Sequence, residues 1–222
     1  MDDHDLVILV PLWKRAGRFG DMLESARATA PHALLLLLCS PDDKAVLKAA
    51  GASGAAVLVT DWPGGTPGDY AKKMNLGYRS TIAPLLFLGA DDISFHPGWL
   101  DACLQALGPG IGVVGTNDLG NPRVIAGAHS THSLVLRWYV DAYGTADEPG
   151  QMLHEGYVHE FVDDELVGTA KFRGAYAHAH AAHVEHLHPH WQKAPMDESY
   201  ALQADRMAAS AEHFRQRQVL WA

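Results

Sequence analysis

The stretch Leu85-Leu86-Phe87-Leu88-Gly89-Ala90-Asp91-Asp92 constrains the fold of this chain most. Four consecutive apolar residues suffice for a buried strand and are far too few for a membrane helix. Two adjacent carboxylates come directly after. Then comes His96-Pro97-Gly98-Trp99-Leu100, where Pro97 suits the first turn of a helix. A buried strand that ends in acids sets them at the carboxyl edge of a sheet, the edge where open α/β sheets bind ligands. Paired carboxylates there are hard oxygen ligands, suited to Mg²⁺ or Mn²⁺ carrying a phosphate-bearing ligand. The same two residues would equally well cap the following helix or solvate a turn. Taken alone, they leave these readings even.

The segments around this stretch predict an α/β chain. Leu6–Val10 reads as a buried strand closed by Pro11, and Leu34–Cys39 and Ala55–Thr60 as two more. Helices are expected over Arg18–Ala30, from Ser40 (N-cap) and Pro41 through Ala50, over Asp69–Ser80 and over Pro97–Leu107. A short strand is expected at Ile111–Gly115. Strands that are apolar throughout and alternate with helices specify a mostly parallel sheet covered on both faces. No glycine pattern of the dinucleotide-binding type comes after the first strand. After Thr116 the texture changes to α+β. Asn117–Pro122 is a turn cluster, and Ser133–Tyr143 is apolar and aromatic without a clear period. Glu160–Val167 reads as a short helix with three consecutive acids, Lys171–His188 as one or two strands, and Pro195–Gln218 as a terminal helix.

A length of 222 residues without a clear linker is read as a single domain, 1–222. The acidic start, Met1 to Asp5, is wrong for a signal peptide. Cys39 and Cys103 sit in apolar settings and read as free thiols of a cytoplasmic protein. The formal charge of −9 argues against a broad phosphate-backbone footprint. Histidine is over-used, with 14 copies, and six of them crowd between His178 and His190.

With these elements placed, the sequence resembles a GT-A fold glycosyltransferase of the family 2 type. Val10-Pro11-Leu12-Trp13-Lys14-Arg15 resembles the opening strand and loop that lie against the nucleotide. Asp42-Asp43 stands where the family holds the base, and Tyr70-Ala71-Lys72-Lys73-Met74-Asn75-Leu76-Gly77 resembles its helix before the metal-binding strand. Gly89-Ala90-Asp91-Asp92 occupies the place of the Asp-x-Asp metal motif, and Asp163-Asp164-Glu165-Leu166 that of the later acidic motif.

The resemblance implies a nucleotide-sugar-binding half, 1–115, and an acceptor and catalytic half with a C-terminal helix, 116–222. It implies a donor site of Pro11, Trp13, Arg15, Asp42, Asp43, Lys73, Asn75, Ala90 and Asp91. The expected metal ligands are Asp91 with His188 or His186, the expected base Asp164 with Asp163 second, and the cofactor Mn²⁺ or Mg²⁺ with a nucleotide sugar, UDP-sugar first. One departure stands out: Gly89 replaces the first aspartate of the metal motif.

The residues also carry plainer readings. Asp42 and Asp43 suit the first turn of a helix, Lys72 and Lys73 a solvated helix face, Asn75 a local cap, and Asp163-Asp164-Glu165 an acidic surface. The acceptor is not legible. Asn117–His132 and Trp138-Tyr139 fall where acceptor loops lie in such enzymes, and an aromatic platform suits a sugar or a hydroxylated nucleobase in DNA. The compact form resembles bacterial and phage enzymes, which would place a phage-encoded one in the host cytoplasm. Two alternatives compete: a metal-dependent nucleotidylyltransferase, poorly supported by the glycine-poor Leu12–Gly17, and a catalytically inactive nucleotide-sugar-binding module, favoured by Gly89 and opposed by Asp163-Asp164.

Overall fold

The computed structural model describes residues 5–222, so the acidic stretch Met1–His4 lies outside the described residues. The elements run β1 (Leu6–Pro11), α1 (Phe19–Thr29), β2 (Leu34–Cys39), α2 (Lys44–Ala52), β3 (Ala56–Val59), α3 (Asp69–Arg79), β4 (Leu85–Leu88), β5 (Ile93–Phe95) and α4 (Trp99–Gln105). They continue with β6 (Val113–Asn117), α5 (Pro122–Ile125), β7 (Ser133–Leu136), α6 (Arg137–Ala142), α7 (Val162–Phe172), β8 (Tyr176–His186), a 3₁₀ turn (Pro189–Trp191), α8 (Glu198–Ala201) and α9 (Gln203–Gln218).

One sheet of eight strands, ordered β3-β2-β1-β4-β7-β6-β8-β5, runs through the described residues. The strands from β3 to β4 are parallel, as the apolar runs predict. Beyond β4 the sheet is mixed, because β7 runs antiparallel to both β4 and β6, and β5 antiparallel to β8. Alternation along β1 builds both faces. Leu6, Ile8 and Val10 pack with Phe19, Met22, Val46 and Trp99 of α1, α2 and α4. Val7 and Leu9 pack with Met74, Tyr139 and Leu166 of α3, α6 and α7. Each such fully buried side chain contributes roughly 1.5–3 kcal/mol, which fixes β1 as the centre of a three-layer core.

Several local expectations shift. Asp43, not Ser40, caps α2, accepting from the Val46 amide at 3.1 Å. β3 is not covered on both faces. It is the sheet's outer strand, and Val57 and Val59 are exposed. Residues 133–143 divide into β7 and α6. The 171–188 segment is the end of α7 and then one strand, β8, whose pairing with β6 shifts register between Thr116 and Asn117. The terminal helix divides at Leu202 into α8 and α9. The short strand β5, directly after the two acids, carries too few residues to show a period. It brings Ile93 opposite His186. That pairing places the late histidines beside Asp91 and Asp92.

Candidate active site

A cleft of about 790 Å³ opens at the carboxyl ends of β1 and β4. Pro11, Trp13, Arg15, Lys73, Ala90 and Asp91 line it from the first half of the chain, and Asp163, Asp164, His186 and His188 from the second. Most of the residues singled out in the sequence therefore meet in one place. Asp42, Asp43 and Asn75 are not brought to the cleft wall. Asp42 accepts from the Gly64 amide at 2.9 Å, and Asp43 from the Lys14 amide at 2.6 Å. Asn75 is fully buried and ties α3 to Leu153 by two bonds, to the carbonyl at 2.7 Å and from the amide at 3.0 Å. Their polar atoms answer the chain's own backbone and, for Asn75, also the Glu155 carboxylate at 2.9 Å. Trp138 and Tyr139 are likewise absent from the lining, and Tyr139 is fully buried, so they form no platform in the cleft. Lys73 reaches the wall as a buried ammonium held by the Leu12 carbonyl and Asp69, both at 2.9 Å.

The acidic pair is the floor of the cleft. Arg15 Nη1 donates to Asp91 Oδ1 at 2.8 Å and to Asp92 Oδ2 at 2.9 Å. The Tyr200 hydroxyl also donates to Asp92, and His186 Nε2 lies 3.5 Å from it. Burial, then the neighbouring Asp92 charge, pushes Asp91 up to about 7. For Asp92 burial acts the same way, but His186, Tyr200 and Arg15 outweigh it and hold the carboxyl well below its usual range. The two aspartates thus differ in kind. At pH 8, Asp92→Asn should lower stability by about 1–3 kcal/mol, because it weakens charge-assisted bonds at a buried site. Asp91→Asn should be neutral or stabilising, since it removes a negative charge that burial disfavours. Thermal melts of both variants would check this, and a reversed order would refute the assignment.

Gly89 is explained by packing. It sits against β1, its amide donating to the Leu9 carbonyl at 2.9 Å. A Cβ there would stand 3.0 Å from that same oxygen and 3.2 Å from Ile8 Cγ2. A side chain at this position is therefore tight, and β1 would have to give slightly to admit an aspartate.

His186 is the imidazole nearest the acids. His188 packs on the Tyr200 ring at 4.4 Å, and its Nδ1 accepts from the His190 amide. The two rings remain neighbours at 5.0 Å, although β8 ends at His186. A third imidazole, absent from the sequence expectations, completes this wall. His132 Nδ1 lies 3.1 Å from the Leu88 carbonyl, which can only accept, so Nδ1 carries the proton. Its Nε2 is buried with no partner among the described residues, and burial, then the charge of His186, lowers its pKa to about 4. A bare lone pair is thereby held 5.0 Å, ring to ring, from His186.

Across the cleft, the first turn of α7 presents Asp163 and Asp164 but turns Glu165 inward, where Arg217 holds it at 2.7 Å. His129, 3% exposed, places Nε2 3.1 Å from Asp163 Oδ2 and Nδ1 3.8 Å from Asp164 Oδ1. Among the described residues, His129, Asp163 and Asp164 form the group whose ligand atoms all lie within 4.8 Å of one another. Arg123 already answers Asp164 at 2.7 Å. Burial alone would lower the His129 pKa, but Asp163 raises it above the ordinary value. Burial raises Asp163 too, yet His129 outweighs it and the net shift is downward. Asp164 moves the other way, raised by burial and by the Asp163 charge. His129 and Arg123 had no sequence signal beyond their place in a turn-rich segment.

No protein-family model matches the chain, and a search of curated proteins finds no relative. Solved structures do match. A mannosyltransferase from Pyrobaculum calidifontis, in complex with GDP-Man and Mn²⁺, superposes with a TM-score of 0.66 at 13% identity. The match covers 96% of this chain and 63% of that one. Glucosyl-3-phosphoglycerate synthase from Mycobacterium tuberculosis, in complex with Mn²⁺, UDP-glucose and phosphoglyceric acid, gives 0.61 at 16% identity, covering 96% of this chain and 79% of that one. The fold is that of the GT-A glycosyltransferases. The acidic floor stands directly after β4 in this fold. The present chain spans less than two thirds of the mannosyltransferase's length. No helix among the described residues is long and apolar enough to cross a membrane.

Proposed function

We propose that the chain is a metal-dependent glycosyltransferase that moves a sugar from a nucleoside diphosphate, UDP first, to an acceptor hydroxyl. The observation that carries this reading is the facing of two acidic pairs across one cleft. Asp91-Asp92 lies at the end of β4, and Asp163-Asp164 on the first turn of α7. The solved GT-A structures that the chain resembles hold Mn²⁺ or Mg²⁺ and a UDP- or GDP-linked sugar. The donor chemistry at the acidic floor suits such a cation, once Arg15 yields the two carboxylates. Asp91 and Asp92 offer hard oxygens, and the partnerless Nε2 of His132 and the imidazole of His186 offer nitrogen at the same wall. When bound, the cation would neutralise charge on the leaving diphosphate as a Lewis acid.

The chain's own groups do the rest. Burial alone would lower the Arg15 pKa, but Asp91 and Asp92 outweigh it and keep the guanidinium charged, a fixed positive charge for the diphosphate. Asp164 takes the acceptor proton, since its raised pKa brings it nearer the working pH. The acceptor O–H bond breaks as its oxygen bonds carbon one of the sugar, and the bonding pair to the diphosphate leaves with the diphosphate. A single displacement of this kind inverts the anomeric carbon. The buried free thiols Cys39 and Cys103 suit a reducing compartment. Of the two segments expected to meet the acceptor, 117–132 reaches the cleft through Asn121, Arg123, His129, Thr131 and His132, whereas Trp138 and Tyr139 do not line it.

Saturating UDP with Mn²⁺ should raise the melting temperature. At a hundredfold excess over Kd the gain is about 2.7 kcal/mol, or about 5–10 °C for a chain of this size. Asp91 must release a proton near pH 7 before it can take a cation, so the gain should be larger at pH 8 than at pH 6. No shift with UDP and Mn²⁺ at pH 8 would overturn the nucleotide-sugar reading.

A further inference from the structure

A second cavity, of about 340 Å³, lies behind Asp164. It shares Arg123, His129, Phe161 and Asp164 with the donor cleft, so the two spaces meet at the proposed base. Its floor is one face of α7, where Asp164, Gly168 and Lys171 stand four and three residues apart. Its far wall is aromatic. Phe214 stacks on Phe161 with ring centroids 4.7 Å apart and planes 16° from parallel. Trp221 lies so close to α7 that a Cβ on Gly168 would come 2.4 Å from its indole nitrogen. Phe161, at the junction of the two spaces, has φ of +73°, a region that side chains rarely adopt and that clusters at functional sites.

The charges in this groove are unusual for a chain with a net charge of −9. Lys171 Nζ is steered into place by the Ala128 carbonyl at 2.8 Å and the Gly127 carbonyl at 3.3 Å. The same ammonium lies over the Tyr176 ring at 4.9 Å, and the residue stays exposed, so its charge remains open to an anion. Arg123 stands at the other end, on Asp164. Among the described residues, no carboxylate other than Asp164 lines the groove. A ligand here therefore meets a proton acceptor at one end, a cation at the other and aromatic faces between them.

We propose that this groove seats the acceptor, a small hydroxylated anion whose attacking hydroxyl meets Asp164 while its carboxylate or phosphate lies against Lys171. The aromatic wall receives the C–H face of its carbon frame. The inference rests on the transferase reading for its chemistry, but anion binding is measurable without any donor. Burial and the Arg123 charge lower the Lys171 pKa, as expected of a cation site that gains from an incoming anion.

The test uses three matched hexose probes: glucose 6-phosphate, glucuronate and glucose. Thermal shift and calorimetry on the donor-free protein should register one or both anions and not glucose, and the stronger anion identifies phosphate or carboxylate as the group read. Lys171→Glu should weaken that binding about tenfold or more, the scale of a charge-assisted hydrogen bond. Lys171→Arg should retain it, as should Lys48→Glu, an equal charge change on the exposed face of α2. Circular dichroism of each variant separates lost binding from lost fold. Equal response to glucose and to the anions, no response to either anion, or unchanged anion binding in a folded Lys171→Glu would overturn the proposal. Anion binding that depends on Lys171, without transfer from any nucleotide sugar, would instead overturn the transferase reading and leave the groove an anion site.

Discussion

Asp164→Asn should lower transfer by about 10² to 10⁴-fold while leaving donor affinity nearly unchanged, the signature of a lost general base. The amide keeps the shape and still accepts from Arg123, which pairs with the carboxylate at 2.7 Å. It cannot take a proton at neutral pH. Asp163→Asn should behave differently. Asp163 is the carboxylate that His129 holds at 3.1 Å, and its pKa is lowered, so it is the weaker base of the two. Its loss removes the negative charge that helps to raise the Asp164 pKa. The fall in rate should then be smaller and accompanied by a shift of the pH profile toward lower pH, because a like charge no longer holds the base's pKa up. Slow hydrolysis of the donor by water, measured across pH, serves where an acceptor is lacking. Full turnover in Asp164→Asn would transfer the base role to Asp163. An equal loss of donor binding would make the pair part of the donor site instead.

The strands and the acidic edge were legible because burial on both faces writes itself as a continuous apolar run, as in Leu6–Val10 and Leu34–Cys39. The residues just past the end of such a run then fall at a sheet edge. The halves of the site that depend on pairing were not legible. β5 has three residues, and its pairing with β8 is what sets His186 beside Asp92. No local pattern encodes that partner. Spacing did place Asp163, Asp164 and Glu165 on one helix turn, but a turn of 100° per residue separates their side chains. Only the packing of α9 shows that Glu165 belongs to the interior. Asp42, Asp43 and Asn75 illustrate the opposite failure. Each has the right residue type at a motif position, yet each is consumed by backbone donors or acceptors. The plainer reading of Asp43, as a first-turn acid, is the one its bond to Val46 expresses. His132 stood in a segment read as turns and as an acceptor loop, and its chemistry depends on one carbonyl, that of Leu88, 44 residues earlier.

Arg217→Ala should cost about 3–5 kcal/mol, the usual penalty for leaving one partner of a buried ion pair uncompensated. For a chain of this length that corresponds to a fall in melting temperature of about 6–20 °C. Glu165 is 2% exposed and Arg217 is 8% exposed, and two bonds of 2.7 Å join them, from Nε and Nη2 to the two carboxylate oxygens. The second ion pair of Arg217, with Asp147, adds little by comparison, because the Asp147 side chain is 51% exposed. The pair fastens α9 to the helix that carries Asp163 and Asp164, and α9 supplies Phe214 and Gln218 to the proposed acceptor groove. Loss of stability and loss of acceptor binding should therefore appear together in Arg217→Ala, with donor binding affected less. Replacing both partners separates charge from packing. Arg217→Met with Glu165→Gln removes both charges, and the Gln carbonyl can still accept from either Tyr157 or Ala146, which now donate to Glu165 at 2.8 and 3.1 Å. That double variant should recover more than half of the stability lost in Arg217→Ala, since an uncharged buried pair leaves no orphaned carboxylate. If the double variant is no more stable than Arg217→Ala, the pair contributes through its geometry rather than through mutual neutralisation, and α9 is held by Phe214 and Trp221 packing instead.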